Sequence, residues 1–189
     1  IYFVSAGGVY YLPAKNAQKA EEFSIPACEF DLGNVLAPEG LSFKGENLLV
    51  TDYAQSAVQE FRADGNTLVF TGFAIASGKT AYNRIGKTAY DVQRYGNRVA
   101  VLDANKLTVI NAGGEDFDRY SKDNFVNMLT AEEKRPAFFA LGKNGVLTSD
   151  NSASSVKGYA EISENAEPVA ITGISNTIKS VCYQSGYYY

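Results

Sequence analysis

Histidine and tryptophan are absent from the 189 residues, methionine occurs once and cysteine twice. Without histidine there is no Ser-His or Cys-His nucleophile pair, no imidazole ligand for zinc and no His acid–base chemistry. Carboxylates remain as the ready general acids and bases, and whether any two form a glycosidase-type pair depends on a separation that only the fold sets. Cys28 and Cys182 stand near opposite ends of the chain, so a bridge requires the fold to bring the ends together; otherwise two buried thiols are expected. No apolar run approaches the roughly 20 residues that cross a bilayer, which predicts a soluble chain with no membrane span. There is no Asn-x-Ser/Thr sequon, so glycosylation says nothing of the compartment. Ile1 stands where a Met would begin a gene product, and no basic-then-apolar leader precedes it. We read a processed or trimmed N-terminus, which favours an extracytoplasmic (periplasmic or secreted) location without fixing it. The formal net charge is −4, and the 17 basic residues are scattered singly or in pairs. No stripe is left to neutralise a row of phosphates, so nucleic acid is not an expected partner.

What is present is an ordinary globular mixture, 46% hydrophobic and 20% charged, of a length that suits one domain. Within it a pattern recurs. LLVTD at 48–52 is followed by AVQEF at 57–61, VAVLD at 99–103 by LTVI at 107–110, and VLTSD at 146–150 by SVKGY at 155–159. Each apolar, β-branched run closes on Asp (Asp52, Asp103, Asp150), then come a small polar turn and a second apolar run. Before each Asp-terminated run lies hairpin chemistry: Lys44-Gly45-Glu46-Asn47, Tyr95-Gly96-Asn97-Arg98 and Gly142-Lys143-Asn144-Gly145. Ala63-Asp64-Gly65-Asn66 and Ser163-Glu164-Asn165-Ala166 lead into further strands. Four strands in a unit of roughly 45 residues is the size of a propeller blade.

The expected fold is therefore all-β: a β-propeller of about four four-stranded blades, at 1–37, 38–85, 86–135 and 136–179, plus a partial fifth at 180–189. At the N-terminus Ser5-Ala6-Gly7-Gly8 serves as the hairpin, VYYL at 9–12 as the second strand, and Pro13 takes the Asp position. Both ends begin in the same phase of the repeat, so they duplicate rather than complement each other. Closure is expected to need additional blades or a second chain, and the 189 residues alone are expected to associate or unfold.

The second unit carries Gly40, then Val50-Thr51-Asp52, Val58-Gln59-Glu60-Phe61 and Asp64-Gly65. It resembles the NHL-type propeller repeat, whose pattern has a leading Gly, Val-x-Asp closing the second strand, an apolar-Gln-x-Phe third strand and an Asp-Gly turn. The basic residue that this family places before its third strand is Ala57 here. The resemblance implies a six-bladed, usually non-catalytic recognition platform. Six blades need roughly 260 residues at this period, which leaves this chain about two blades short.

Two stretches exceed the repeat, 72–88 and 114–135. Phe125, Val126, Met128 and Leu129 have helical spacing after Asp123, and Thr130-Ala131-Glu132-Glu133 fits a capping box, so one or two short helices are predicted near 123–135. Ser77-Gly78-Lys79-Thr80 and Gly86-Lys87-Thr88 lack the glycine spacing and the strand-to-helix setting of a phosphate loop. The acidic cluster Glu115, Asp116, Asp118 and Asp123 lacks the spacing of a calcium loop and reads as a solvated surface. One carboxylate per blade raises a Ca²⁺ site at Asp52, Asp103 and Asp150, against which stands simple capping of each turn. With no cofactor otherwise indicated, the candidate ligand-binding set is Asp52, Asp103 and Asp150 together with Tyr53, Tyr82, Arg84 and Tyr90, at or near connections where rigid rings make contact surfaces. The reading is a non-catalytic scaffold for a protein or glycan; the alternative is a metal-dependent hydrolase or lyase using these carboxylates.

Overall fold

The computed structural model describes residues 1–5, 7–13, 15, 18–27, 32–76, 89–96, 98–104, 107–111, 125–127, 136–174 and 177–189. Every regular element among them is a β-strand. Cα packing divides the chain into two units, Ile1–Val92 and Gln93–Tyr189. Tyr82, Arg84, Cys28, both Gly-Lys-Thr triplets and the acidic cluster at 115–123 lie outside the described residues.

The first unit begins with a three-stranded antiparallel sheet, β1 (Tyr2–Ser5), β2 (Gly8–Tyr11) and β3 (Glu21–Glu22). Three strands, not the four expected, are found there among the described residues; the β1–β2 ladder runs on to Leu12, whose N–H donates to Ile1 O at 2.7 Å, and ends at Pro13, which has no N–H to continue it. A four-stranded meander follows, β4 (Pro38–Lys44), β5 (Asn47–Asp52), β6 (Ala57–Asp64) and β7 (Thr67–Ala76), in that spatial order. Its hairpins pair Lys44 with Asn47 and Asp64 with Thr67 around two-residue turns. Their first turn residues, Gly45 and Gly65, have φ of 61° and 57°, the left-handed region such turns need. Leu48, Val50, Phe61 and Leu68 pack with Val9 and Phe23, joining the two sheets in one core. Leu49 points to the opposite side and is buried as well, so β5 is covered on both faces. At the rim Glu60 is buried yet paired: Lys44 Nζ lies 2.7 Å from its carboxylate and 4.5 Å from the centre of the Phe73 ring.

β8 (Ala89–Tyr95) crosses the unit boundary and opens the third sheet, which continues through β9 (Arg98–Asp103), β10 (Leu107–Asn111) and β11 (Phe125–Asn127). The fourth contains β12 (Phe139–Leu141), β13 (Val146–Ser149), β14 (Val156–Tyr159) and β15 (Val169–Ile171). A two-stranded hairpin, β16 (Tyr183–Gln184) and β17 (Tyr187–Tyr188), turns at Ser185-Gly186. Ala100, Leu102, Leu107 and Val109 from one face of the third sheet pack on Phe139, Leu141, Val146 and Tyr159 of the fourth. Gln93 binds both strand-edge groups of β12: its Nε2 donates to Phe139 O at 2.7 Å and its Oε1 accepts from Leu141 N at 3.0 Å.

Two expectations are corrected. No helix occurs among the described residues, and Phe125–Asn127 form β11, with Ile110 opposite Phe125 and Val109 opposite Val126. Backbone pairing with a strand distant in sequence overrides the helical spacing at these three residues; Asp123, Met128, Leu129 and Thr130-Ala131-Glu132-Glu133 lie outside the described residues. Cys182 is an exposed thiol rather than a buried one, because it precedes β16 on a two-stranded hairpin with little to cover it.

β4 is held close to β8 at Gly40. A Cβ there would lie 2.6 Å from Asp91 Oδ1, 2.8 Å from Asp91 Cα and 3.0 Å from Thr51 Oγ1. Backbone cannot retreat as a flexible side chain can, so Gly40→Ala is expected to cost about 1–3 kcal/mol. Gly158→Ala is the control: its nearest neighbour is Ile171 Cδ1 at 3.7 Å, and its effect should stay within about 0.5 kcal/mol. Urea midpoints of the two variants measure the difference, and equal midpoints would show that β4 and β8 are not tightly apposed.

Candidate interaction face at the strand-end aspartates

β5 ends in Thr51-Asp52, β9 in Leu102-Asp103, and β13 in Ser149 followed by Asp150. A strand that stops leaves backbone donors without ladder partners, and a short side-chain acceptor at that point satisfies them locally. Asp52 does so while buried. Its Oδ2 accepts from Leu36 N and Gln55 Nε2, both at 2.8 Å, and its Oδ1 from Ala37 N and Gln55 N, both at 3.2 Å. Two glutamines hold the same connector: Gly33 N donates to Gln59 Oε1 at 2.6 Å, and the Nε2 atoms of Gln55 and Gln59 each donate to Asn34 O at 2.7 Å.

The residue before the aspartate has its own task. Thr51 Oγ1 accepts from Gly40 N at 2.6 Å and reaches Gly40 O and Tyr90 O at 3.3 Å each. Ser149 repeats this in the fourth sheet, where its Oγ accepts from Phe138 N at 3.1 Å. Leu102 precedes the buried Asp103 and has no hydroxyl to offer. Asp150 closes its own turn: Oδ1 accepts from Ser154 N at 2.7 Å and Ser155 N at 3.3 Å, and Oδ2 from the hydroxyls of Ser154 at 2.6 Å and Ser152 at 2.9 Å. The Ser154 hydroxyl above all holds this carboxyl well below the usual carboxylate range, with partial burial acting in the opposite sense.

Tyr53 follows Asp52, and its N–H donates to Ala37 O at 2.8 Å, which fixes it beside the clamped connector. Its residue is 40% exposed. Its ring meets that of Tyr90 edge-on, 5.4 Å between centroids and 61° between planes. Of the candidate residues in the first unit the fold thus brings Tyr53 and Tyr90 together, next to Asp52. Leu36, also exposed, lies on the connector that Asp52 binds. Among the described residues no group of three or more His, Cys, Asp or Glu side chains is placed to hold a metal ion. Gln55 and Leu36 were not singled out in the sequence, and Thr51, Gln59 and Ser149 were marked there only as positions of the repeat. Gln59 had a readable signal, since a polar residue between Val58 and Phe61 in a buried strand must find partners.

No known protein family's profile matches the chain, and no curated protein matches it either. Solved structures do. Hydrazine synthase of Kuenenia stuttgartiensis is 16% identical, with a TM-score of 0.58 over 94% of this chain and 46% of its own. The WD40 β-propeller domain of Doa1 is 11% identical, with a TM-score of 0.55 over 94% of this chain and 51% of its own. YCF48 bound to D1 peptide is 10% identical, with a TM-score of 0.53 over 97% of this chain and 53% of its own. The fold is that of a β-propeller, and the chain spans about half the length of these three structures.

Removing the Asp52 carboxylate strands several backbone donors at once, so Asp52→Ala is expected to cost about 2–4 kcal/mol in urea unfolding; an unchanged midpoint would mean the connector is held by the glutamines alone. Asp150 gives a pH signature instead. Its folded carboxyl titrates below its unfolded value of about 4, so the native state binds fewer protons and is favoured above that pH. The stabilisation is lost as pH falls from about 5 toward the depressed folded value. Urea midpoints between pH 7 and pH 3 should therefore fall less steeply in Asp150→Asn than in the unsubstituted chain.

Proposed function

We propose that the chain is part of a non-catalytic β-propeller scaffold that recognises a protein partner on the surface beside Asp52, with Leu36, Tyr53 and Tyr90 at the contact. The observation that carries this reading is the division of roles at residues 52 and 53. Asp52 spends both oxygens on holding the connector, while the adjacent Tyr53 presents its ring to solvent against Tyr90. A tyrosine already braced by a neighbour loses little rotamer freedom on binding and offers both an apolar face and a hydroxyl. YCF48, which shares the fold, is solved with a peptide bound.

The NHL-type reading belongs to this proposal. In the second sheet Gly40 permits the close approach of β8, Asp52 and Gln59 clamp the connector, Phe61 fills the core and Gly65 makes the turn. Each position of the resemblance thus has a physical task, which supports one propeller domain over residues 1–189 that further blades or a second chain complete to a six-bladed ring. The metal-dependent hydrolase or lyase alternative requires carboxylate oxygens free to bind an ion, and those of Asp52 and Asp150 are occupied by N–H and O–H donors.

A photo-crosslinking residue placed at Tyr53 should capture a protein that one placed at exposed Arg62, on β6, does not. The captured protein, once purified, should bind the unsubstituted chain and lose roughly tenfold or more in affinity to Tyr53→Ala and Tyr90→Ala, about 1.4 kcal/mol or more. Equal affinity for all three chains would overturn the assignment of this face. A glycan-array hit lost in the same variants would replace the protein by a glycan.

A further inference from the structure

Within the unit Gln93–Tyr189 three hairpin turns come together: residues 94–98 between β8 and β9, 142–145 between β12 and β13, and 183–188 around the turn of β16 and β17. Arg98, at the start of β9, donates from its guanidinium to Lys143 O in the second turn. Tyr95 of the first turn meets Tyr183 of the third edge-on, 5.1 Å between ring centroids and 82° between planes. Tyr183 in turn lies 4.9 Å from Tyr188, at 59°. Gly142 is where this tyrosine hairpin rests on the second turn. A Cβ there would meet the Tyr188 hydroxyl, and would lie 3.0 Å from Tyr188 Cζ and 3.1 Å from Tyr183 Cδ2. Contacts between elements distant in sequence thus join the three turns in one rim.

The charge of that rim is opposite to that of the chain. The chain carries a net charge of −4, yet the three turns contain Arg94, Arg98 and Lys143 and neither Asp nor Glu. The carboxylates of the same strands stand at their far ends. Asp103 ends β9, which Arg98 begins, about 17 Å away at the rise of an extended strand; Asp150 follows β13, which the Lys143 turn begins. Lys143 is exposed, and Tyr95 and Tyr188 are each 36% exposed. Burial, reinforced by Tyr183, pushes the Tyr188 phenol up to about 12, so it stays a neutral hydroxyl that both donates and accepts. The aliphatic residues flanking the second turn, Leu141 and Val146, are buried. What the rim presents is therefore cations, phenol rings, and the amides and hydroxyl of Asn144, Gln184 and Ser185.

We propose that this rim binds an acidic polysaccharide, with uronate carboxylates on Lys143 and Arg98 and the faces of the sugar rings against Tyr95 and Tyr188. The carboxylates supply the charge that the three turns lack. The C–H face of a sugar packs on an aromatic ring while its hydroxyls need donors and acceptors beside that ring, and a tyrosine gives both. An acidic peptide would set its apolar side chains here against no exposed aliphatic residue, and three cations neutralise too few phosphates to hold a nucleic acid at physiological salt. No residue of the surface at Tyr53 takes part, so the proposal stands or falls independently of the partner proposed there.

The probe is a galacturonic-acid oligosaccharide, titrated calorimetrically into the full chain. It should bind saturably, and its affinity should fall as salt is raised. Its methyl ester, which keeps the sugar rings and loses the charge, should bind about tenfold or more weakly. Lys143→Glu, at an exposed position, should leave the circular dichroism unchanged and weaken binding by about tenfold or more, while Lys143→Arg retains it. Tyr95→Ser should weaken it as well. Lys179→Glu makes the same charge change at an exposed site beside the Ala153 turn, where Ile178 N donates to Ala153 O at 3.0 Å, and should bind as the unsubstituted chain does. Absence of saturable binding, equal affinity for the methyl ester, or equal losses in Lys143→Glu and Lys179→Glu would overturn the proposal. So would tighter binding of poly-glutamate or of a single-stranded oligonucleotide at the same salt, since the occupant would then be an acidic peptide or a nucleic acid.

Discussion

A carboxylate taken out of water has to find hydrogen-bond donors, and at the end of β5 the donors within reach of Asp52 belong to the connector that enters the sheet. That requirement reinforces, from a side chain, the register in which Pro38 of β4 stands opposite Asp52. Once Leu36 and Ala37 are fixed, β4 starts at a defined point, and Tyr53 N–H meets Ala37 O. The exposed rings of Tyr53 and Tyr90 are then presented by a rigid base. A contact surface that need not be ordered on binding keeps more of its interaction energy as affinity, so the buried acid and the exposed aromatic pair act as parts of one device.

The repeats solve the same problem with different means. In the second sheet the acceptor is shared between a connector and a turn, with Gln55 and Gln59 as additional clamps. In the fourth, the Asp150 carboxylate turns to the Ser152–Ser155 turn, and the connector is held instead by its backbone carbonyl, which accepts from Ala137 N at 3.1 Å. Thr51 and Ser149 nonetheless do the same work on the first strand of their sheets. The equivalence is thus one of strand-end geometry, and it extends less far into the polar partners.

Strands and tight turns were legible because their causes are local. Gly45, Gly65 and Gly96 sit where positive φ is required, and the apolar runs ending at Asp52 and Asp103 are central strands buried along their length. Asp as a turn acceptor was legible on the same grounds. The rest depends on partners distant in sequence. Nothing near Phe125 announces that Ile110 will lie opposite it, and nothing near Gln93 announces the backbone of Phe139 and Leu141. Tyr53 and Tyr90 could be marked as residues near connections, but their pairing is a property of the approach of β8 to β5 that Gly40 permits.

The outermost strands differ in how their edges are managed, and the difference bears on self-association. The edge of β7 is covered by the chain itself: Ser24 N donates to Asn66 O at 2.9 Å and Leu68 N to Ser24 O at 2.8 Å. β15 has no such cover among the described residues, but it is only three residues long and follows Glu167-Pro168. A short edge preceded by a charge and a proline is a poor template for pairing with copies of itself, because proline removes a ladder donor and the charge resists burial. Its exposed side chains lie on the face of the pleat rather than along the edge. The arrangement therefore disfavours indiscriminate strand pairing at β15.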